Sequence, residues 1–178
     1  LFQFETRFYE PGETTYLPIL GLSNTWKQGD QPLEQLKKEG LAFFANRRYI
    51  GKIHQHDLMG LRWMDKDLER ATLSAKKDND IIAKIVITNP RIKITPILRN
   101  GKINFVLKLK YSGDVFQLYQ NFSLKEIEKY AEKAIKQEIM QTYQAGLKKG
   151  IDVYGLSHVL YRKHVHEWKK IQKNGIVP

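Results

Sequence analysis

The residues in this chain whose types and spacing invite chemistry are two His-x-His pairs, one Ser-His step and a run of glutamates. His54 and His56 fall at the end of an expected strand, where residues i and i+2 share a face, and Asp57 stands beside them with a carboxylate. That is the start of a divalent-metal site, but no third ligand follows at motif spacing, and Asp57 is placed to cap a helix. His164 and His166 fall on an expected helix, where i and i+2 point about 200° apart and cannot grip one ion. Ser157 and His158 are adjacent on the same helix, so their side chains diverge, and no nucleophile elbow surrounds them. Glu126, Glu128, Glu132 and Glu138 are interleaved with lysines, the pattern of solvated charge rather than of an acid/base pair. Gly146, Gly150 and Gly155 are too sparse for a phosphate loop. Cysteine is absent, which excludes a thiol nucleophile, a disulfide framework, a zinc ribbon and an iron–sulfur site. The residues therefore offer no catalytic, cofactor-binding or metal-binding candidates, and the expectation is a protein that is not an enzyme.

The elements that would have positioned such residues are easier to read. At 178 residues, the chain is long enough for one domain, or one domain and part of another, with a core that needs no staple. Residues 1–39 read as a loop-rich edge, with turn signals at Pro11-Gly12 and Gln28–Pro32. A composition shift follows near Gly40. Leu41–Phe44 and Tyr49–Ile53 flank the polar tip Asn46-Arg47-Arg48 and predict a hairpin. Asp57 is expected to cap a short helix carrying Leu58, Leu61, Met64 and Leu68.

Residues 81–88 are almost wholly β-branched, and Ile92, Ile94, Pro96 and Leu98 continue in alternation to the turn dipeptide Asn100-Gly101. Beyond it Ile103, Phe105, Leu107, Leu109 and Tyr111 alternate with polar residues. One apolar and one wet face predict an antiparallel sheet covered on one side, and Pro96 predicts a free edge or a bulge. The cover is a long helix. Ser123 and Glu126 form a capping box, with Phe122 and Ile127 placed as a staple. Leu124, Ile127, Ala131, Ile135, Ile139, Tyr143 and Leu147 then recur at helical spacing as far as Gly150. Glu132 and Lys136 are spaced as an i,i+4 pair. Asp152 is expected to open a second helix carrying Leu156, Leu160, Trp168 and Ile171. The fold class is α+β: an antiparallel sheet with one face covered by a long capped helix and a second helix.

The chain carries 30 basic and 19 acidic residues, a net charge of +11, and 22 of the bases are lysine. The excess lies after residue 60. Lysines that alternate with apolar residues on strands, such as Lys84, Lys93, Lys108 and Lys110, read first as a solvated face. An anionic membrane surface or acidic partner comes second, and nucleic acid third, because arginine clusters and a recognisable motif are missing. A pocket for a small ligand is a further alternative, with Phe2, Phe4, Phe8, Tyr9 and Tyr16 as its aromatic lining.

Three stretches in order resemble the C-terminal region of the Ger(x)C family. They are Glu39–Phe44 with Tyr49–Ile53 and Asp57–Trp63; the strand–Asn-Gly–strand hairpin leading to the capped helix; and Asp152–Leu156 continuing to Tyr161-Arg162-Lys163 and Glu167–Lys170. The resemblance covers about residues 39–173 and makes residues 1–38 the end of a preceding region. It implies a non-enzymatic lipoprotein C subunit of a spore germinant receptor. Such a subunit would stand on the outer face of the spore inner membrane, beside integral-membrane A and B subunits. The lipidated N-terminal cysteine of family members is absent from this chain, which starts at Leu1 and reads as a processed or excised piece. The family's last strand, after the Trp168 region, is also absent. Val165 stands where members often have proline, and Ser157 where a second glycine is common; valine is expected to continue the helix.

Overall fold

The computed structural model describes residues 10–99 and 102–173. Phe2, Phe4, Phe8 and Tyr9, and the Asn100-Gly101 turn, lie outside them. The described residues fall into two compact units. One contains residues up to Leu58 together with those from Ala145 onward, and the other is Met59–Gln144. Each holds one three-stranded antiparallel sheet, where a single sheet was expected from the sequence.

In the first unit β1 (Thr14–Gln28), β2 (Gln31–Ala45) and β3 (Arg48–His54) lie in that order. From Thr14 onward, the stretch read as a loop-rich edge is thus a long hairpin, and β2 runs unbroken through Gly40. The reason it escaped reading is the register. β3 pairs with β2 only over Gly40–Ala45, so beyond that point β1 and β2 form, among the described residues, a two-stranded ribbon on which Leu22, Trp26 and Leu36 are exposed. Leu22 pairs with Leu36, and after a bulge Trp26 pairs with Leu33. Leu36 and Leu33 are an odd number of residues apart, so the two pairs stand on opposite faces and no period of two survives. At the root, Thr15, Leu41, Phe43 and Ile53 are buried. The expected second hairpin is present, turned by Asn46 and Arg47 at φ 49° and 61°, the two positive values of a type I′ turn.

A 3-10 helix follows over Gln55–Met64. Asp57 lies inside its first turn rather than at a cap, and Leu68 lies past its end. Its apolar spacing of three fits a 3-10 turn as well as an α-helix, and the tighter form was not anticipated.

The second unit holds β4 (Ala71–Lys77), β5 (Asp80–Arg99) and β6 (Lys102–Leu118). β4 was not read from the sequence, although Asp78 and Asn79, both at positive φ, are the turn residues that betray it. β5 is continuous across the bulge at Asn89. It is central in the sheet, yet β4 pairs only with Asp80–Ile87, so among the described residues no strand pairs with the far edge of β5 at Pro96. That explains how a proline is tolerated opposite Phe105.

Helix α1 (Leu124–Leu147) begins as read. Glu126 Oε2 accepts from the Ser123 N–H at 2.9 Å and from its hydroxyl at 2.8 Å, and these bonds hold the Glu126 carboxyl below the usual range. Phe122 sets its ring against Tyr130 at a centroid distance of 6.3 Å. Ile127, Ala131, Ile135 and Ile139 are buried. Glu132 and Lys136 are both exposed and do not reach ion-pair distance. Gly150, at φ 66°, ends the turn after the helix, and the Ile151 N–H donates back to the Gly146 carbonyl.

The expected second helix is two: α2 (Leu156–Lys163) and α3 (Val165–Lys173). The chain breaks at His164, where φ is −145° and ψ 67°. Val165 is therefore a helix-starting position, not an interior one, where a proline would also be accommodated.

Candidate functional site

Two polar clamps, one in each unit, are built from buried and half-buried side chains. In the second unit the backbone N–H of Gly60 donates to Thr142 Oγ1 at 3.0 Å. A Cβ at Gly60 would lie 2.3 Å from the Glu138 carbonyl oxygen, so only glycine lets the 3-10 helix approach α1 this closely. Arg62 Nη2 donates to both Glu138 oxygens at 2.9 and 3.1 Å, and Trp63 Nε1 donates to Glu138 Oε2 at 2.7 Å. The Trp63 indole is fully buried. Tyr111 stands edge-on to it and donates its hydroxyl to the Trp63 carbonyl at 2.5 Å, and burial pushes the Tyr111 phenol up to about 12.

In the first unit Asp152 serves the start of α2. Its oxygens accept from the backbone N–H groups of Leu156 at 2.9 Å and Ser157 at 2.6 Å. It thereby supplies the side-chain cap that Gly155, the N-cap residue, cannot give. Burial pushes its carboxyl up from the ordinary aspartate range, against the pull of backbone donors at Ser157, Leu156, Tyr154 and Gly155. Ser157 Oγ accepts from Trp168 Nε1 at 2.9 Å, which ties α3 to α2 across the His164 break. Gly12 lies so close to both that a Cβ would stand 2.9 Å from Trp168 Nε1 and 3.0 Å from Ser157 Oγ. A hollow of about 140 Å³ lies here among Thr14, Asn46, Asp152, Ser157 and Trp168. Its two innermost polar side chains, Asp152 and Ser157, are already held by these bonds.

The residues with chemical promise in sequence are not brought together. The rings of His54 and His56 stack at 6.1 Å, and His56 Nε2 lies 3.1 Å from Asp57 Oδ2. Among the described residues no three His, Asp or Glu side chains converge as a metal site. His164 separates α2 from α3, and His166 is exposed within α3. His158 turns away from Ser157, with Nε2 3.0 Å from Glu10 Oε2 and Nδ1 3.4 Å from the Pro11 carbonyl. Tyr16 is exposed and tilts its ring against Phe43.

Glu138 corrects the reading of the helix glutamates. It is a half-buried anchor, not solvated charge. The signal was available: position 138 lies three residues after Ile135 and four before Thr142, on the buried side of α1.

Of the residues that form these clamps, Gly60, Arg62, Trp63, Asp152 and Trp168 lie in the stretches on which the family resemblance rests. The family described as spore germination B3/GerAC-like, C-terminal, matches residues 39–174. The chain belongs to this GerAC-like family. Spore germination protein KC of Bacillus subtilis (strain 168) is 27% identical over 161 residues, spanning 85% of this chain and 39% of that protein. The crystal structure of the GerBC protein superposes with a TM-score of 0.66 at 19% identity, covering 89% of this chain and 50% of that one. The α+β fold is thus that of a GerAC-like C-terminal region, and the chain spans half or less of the relatives it matches. The clamp residues Gly60, Arg62, Trp63, Glu138, Asp152 and Trp168 all lie within the GerAC-like match.

Proposed function

We propose that the chain is the C-terminal region of the C subunit of a nutrient germinant receptor, needed for spore germination. The observation that carries this reading is the GerAC-like match across residues 39–174. The same match, over residues 39–174, supports a C-terminal α+β domain from residue 39 onward, with residues 1–38 proposed as the end of a preceding region that continues into it through β2. The subunit works without catalysing a reaction, through protein–protein contacts at the spore inner membrane. In support, Glu138 and Asp152, the carboxylates of the two clamps, are committed to holding the 3-10 helix and α2. Its partners are the integral-membrane A and B subunits. Its place is the outer face of that membrane, tethered by a lipidated cysteine that this chain does not include. Among the described residues, no helix is long and apolar enough to cross a membrane.

The test is co-purification. With the full-length subunit tagged in spores and the membranes dissolved in mild detergent, the two integral-membrane subunits are expected to be retained together. Retention of neither, with the tagged subunit intact, contradicts the assembly.

A further inference from the structure

Past the end of β4, β5 and β6 continue as a two-stranded ribbon, Arg91–Arg99 against Lys102–Lys110. Side chains alternate between its faces. One face carries Ile92, Ile94, Pro96 and Leu98 opposite Leu109, Leu107, Phe105 and Ile103. On the other, Arg91 stands opposite Lys110, Lys93 opposite Lys108, and Arg99 opposite Lys102. All six cations are exposed, and between Asp80 and Asp114 the chain has no acidic residue. Like charges set directly opposite each other destabilise a strand pair, and here they are set so three times on one face. Asp67 and Glu69 border the same hollow as Arg91 and Lys110, without an ion pair; Lys93, Lys108, Arg99 and Lys102 have no carboxylate beside them in the ribbon.

We propose that this cationic face docks on a bilayer surface rich in anionic phospholipid. Charge complementarity selects an anionic surface, and the residues between the charges select a bilayer. Between the inner and outer cation pairs lie Ile97 and Val106, 40% and 37% exposed, with Thr95 and Asn104. An apolar centre flanked by cations suits a headgroup boundary. A nucleic-acid strand would call for stacking aromatics, and this face has none. The proposal names a surface for the membrane-side subunit proposed above and rests on that reading only for the bilayer's being within reach.

The test is sedimentation of the unlipidated chain with vesicles of phosphatidylcholine alone or with phosphatidylglycerol. Binding is expected only with phosphatidylglycerol, and it should fade as salt rises. The Lys93→Gln/Lys108→Gln variant should bind about 30-fold more weakly, at the strength each base carries near such a surface. The Arg99→Gln/Lys102→Gln variant repeats the test at the other end of the ribbon. Lys169→Gln/Lys170→Gln, on α3, removes the same charge elsewhere and should bind like the parent. Melting curves check that each variant folds. Equal loss from the α3 variant, no binding to phosphatidylglycerol vesicles, or tighter binding to random duplex DNA at the same salt would each overturn the proposal. Vesicle binding needs no receptor. A failed vesicle assay beside intact co-purification sinks the ribbon's role alone. Ribbon-dependent binding without co-purification supports this proposal and removes the receptor assignment.

Discussion

Glu138 Oε2 accepts from Trp63 Nε1 at 2.7 Å while the same carboxylate holds Arg62 Nη2 through both of its oxygens. One side chain of α1 thus fixes two consecutive residues of the 3-10 helix. Truncation would leave a half-buried guanidinium and an indole N–H without their acceptor. Glu138→Ala is therefore expected to cost about 2–3 kcal/mol, and Glu138→Gln, which keeps one acceptor, clearly less. Urea unfolding measures both; equal costs would show that the charge, which both variants remove, carries the whole effect and that the acceptor kept by Gln contributes nothing.

The approach of these two elements depends on Gly60. A methyl there meets the Glu138 carbonyl oxygen and the Ile139 Cα, which lie 2.3 and 2.7 Å from its position and belong to a helix backbone that cannot yield cheaply. Gly60→Ala should destabilise by about 3 kcal/mol, in the range of overpacked cores. Gly29→Ala, with open space around it but φ at 63°, should cost only the backbone strain, about 1 kcal/mol. Comparing the two melting temperatures checks the argument.

Tyr111 gives the clamp an alkaline limit. Its folded value of about 12 lies above its ordinary 10.0, so the folded state favours the neutral phenol. The stabilisation is complete below pH 10 and is lost as pH rises toward 12. Tyr111→Phe should lose about 1 kcal/mol at neutral pH with the hydrogen bond, and its stability should fall less steeply above pH 10. Parallel limbs for the two proteins would refute this role.

Asp152 behaves with the same sign at acid pH. Its folded value is raised above 3.8, so its contribution is full below that pH and declines as pH rises through the raised value. Asp152→Asn removes this dependence. Asp152→Ala removes the cap itself and is expected to cost about 1–2 kcal/mol. Thermal melts from pH 3 to pH 7 separate the two effects.

Much of this is legible in the sequence, and the gaps have physical reasons. α1 could be read because Ser123, Glu126 and the spacing from Ile127 to Ile139 all agree on one helix. The Asn46-Arg47 hairpin was readable because a tight turn joins two short apolar runs. The β1–β2 ribbon was not, since Leu22, Trp26, Leu33 and Leu36 are distributed over two exposed faces and no alternation results. Glu138 was hidden by composition: its sequence neighbours are solvated, whereas its partners Arg62 and Trp63 lie about 75 residues away. The break at His164 was missed because α2 and α3 keep one helical rhythm across it.

That position offers a stabilising substitution. Val165 begins α3, where a fixed φ suits the first turn and a missing N–H is tolerated. Val165→Pro is expected to stabilise the chain by up to about 0.5–1 kcal/mol, and a loss of stability would mean that α2 and α3 act as one bent helix.

The most direct test of the functional assignment is dipicolinate release from spores that carry a single germinant receptor. The spores are compared with and without this subunit, over a nutrient panel and a receptor-independent trigger. The account predicts loss of the nutrient response with the independent trigger unaffected. An unchanged nutrient response in that single-receptor strain would contradict it.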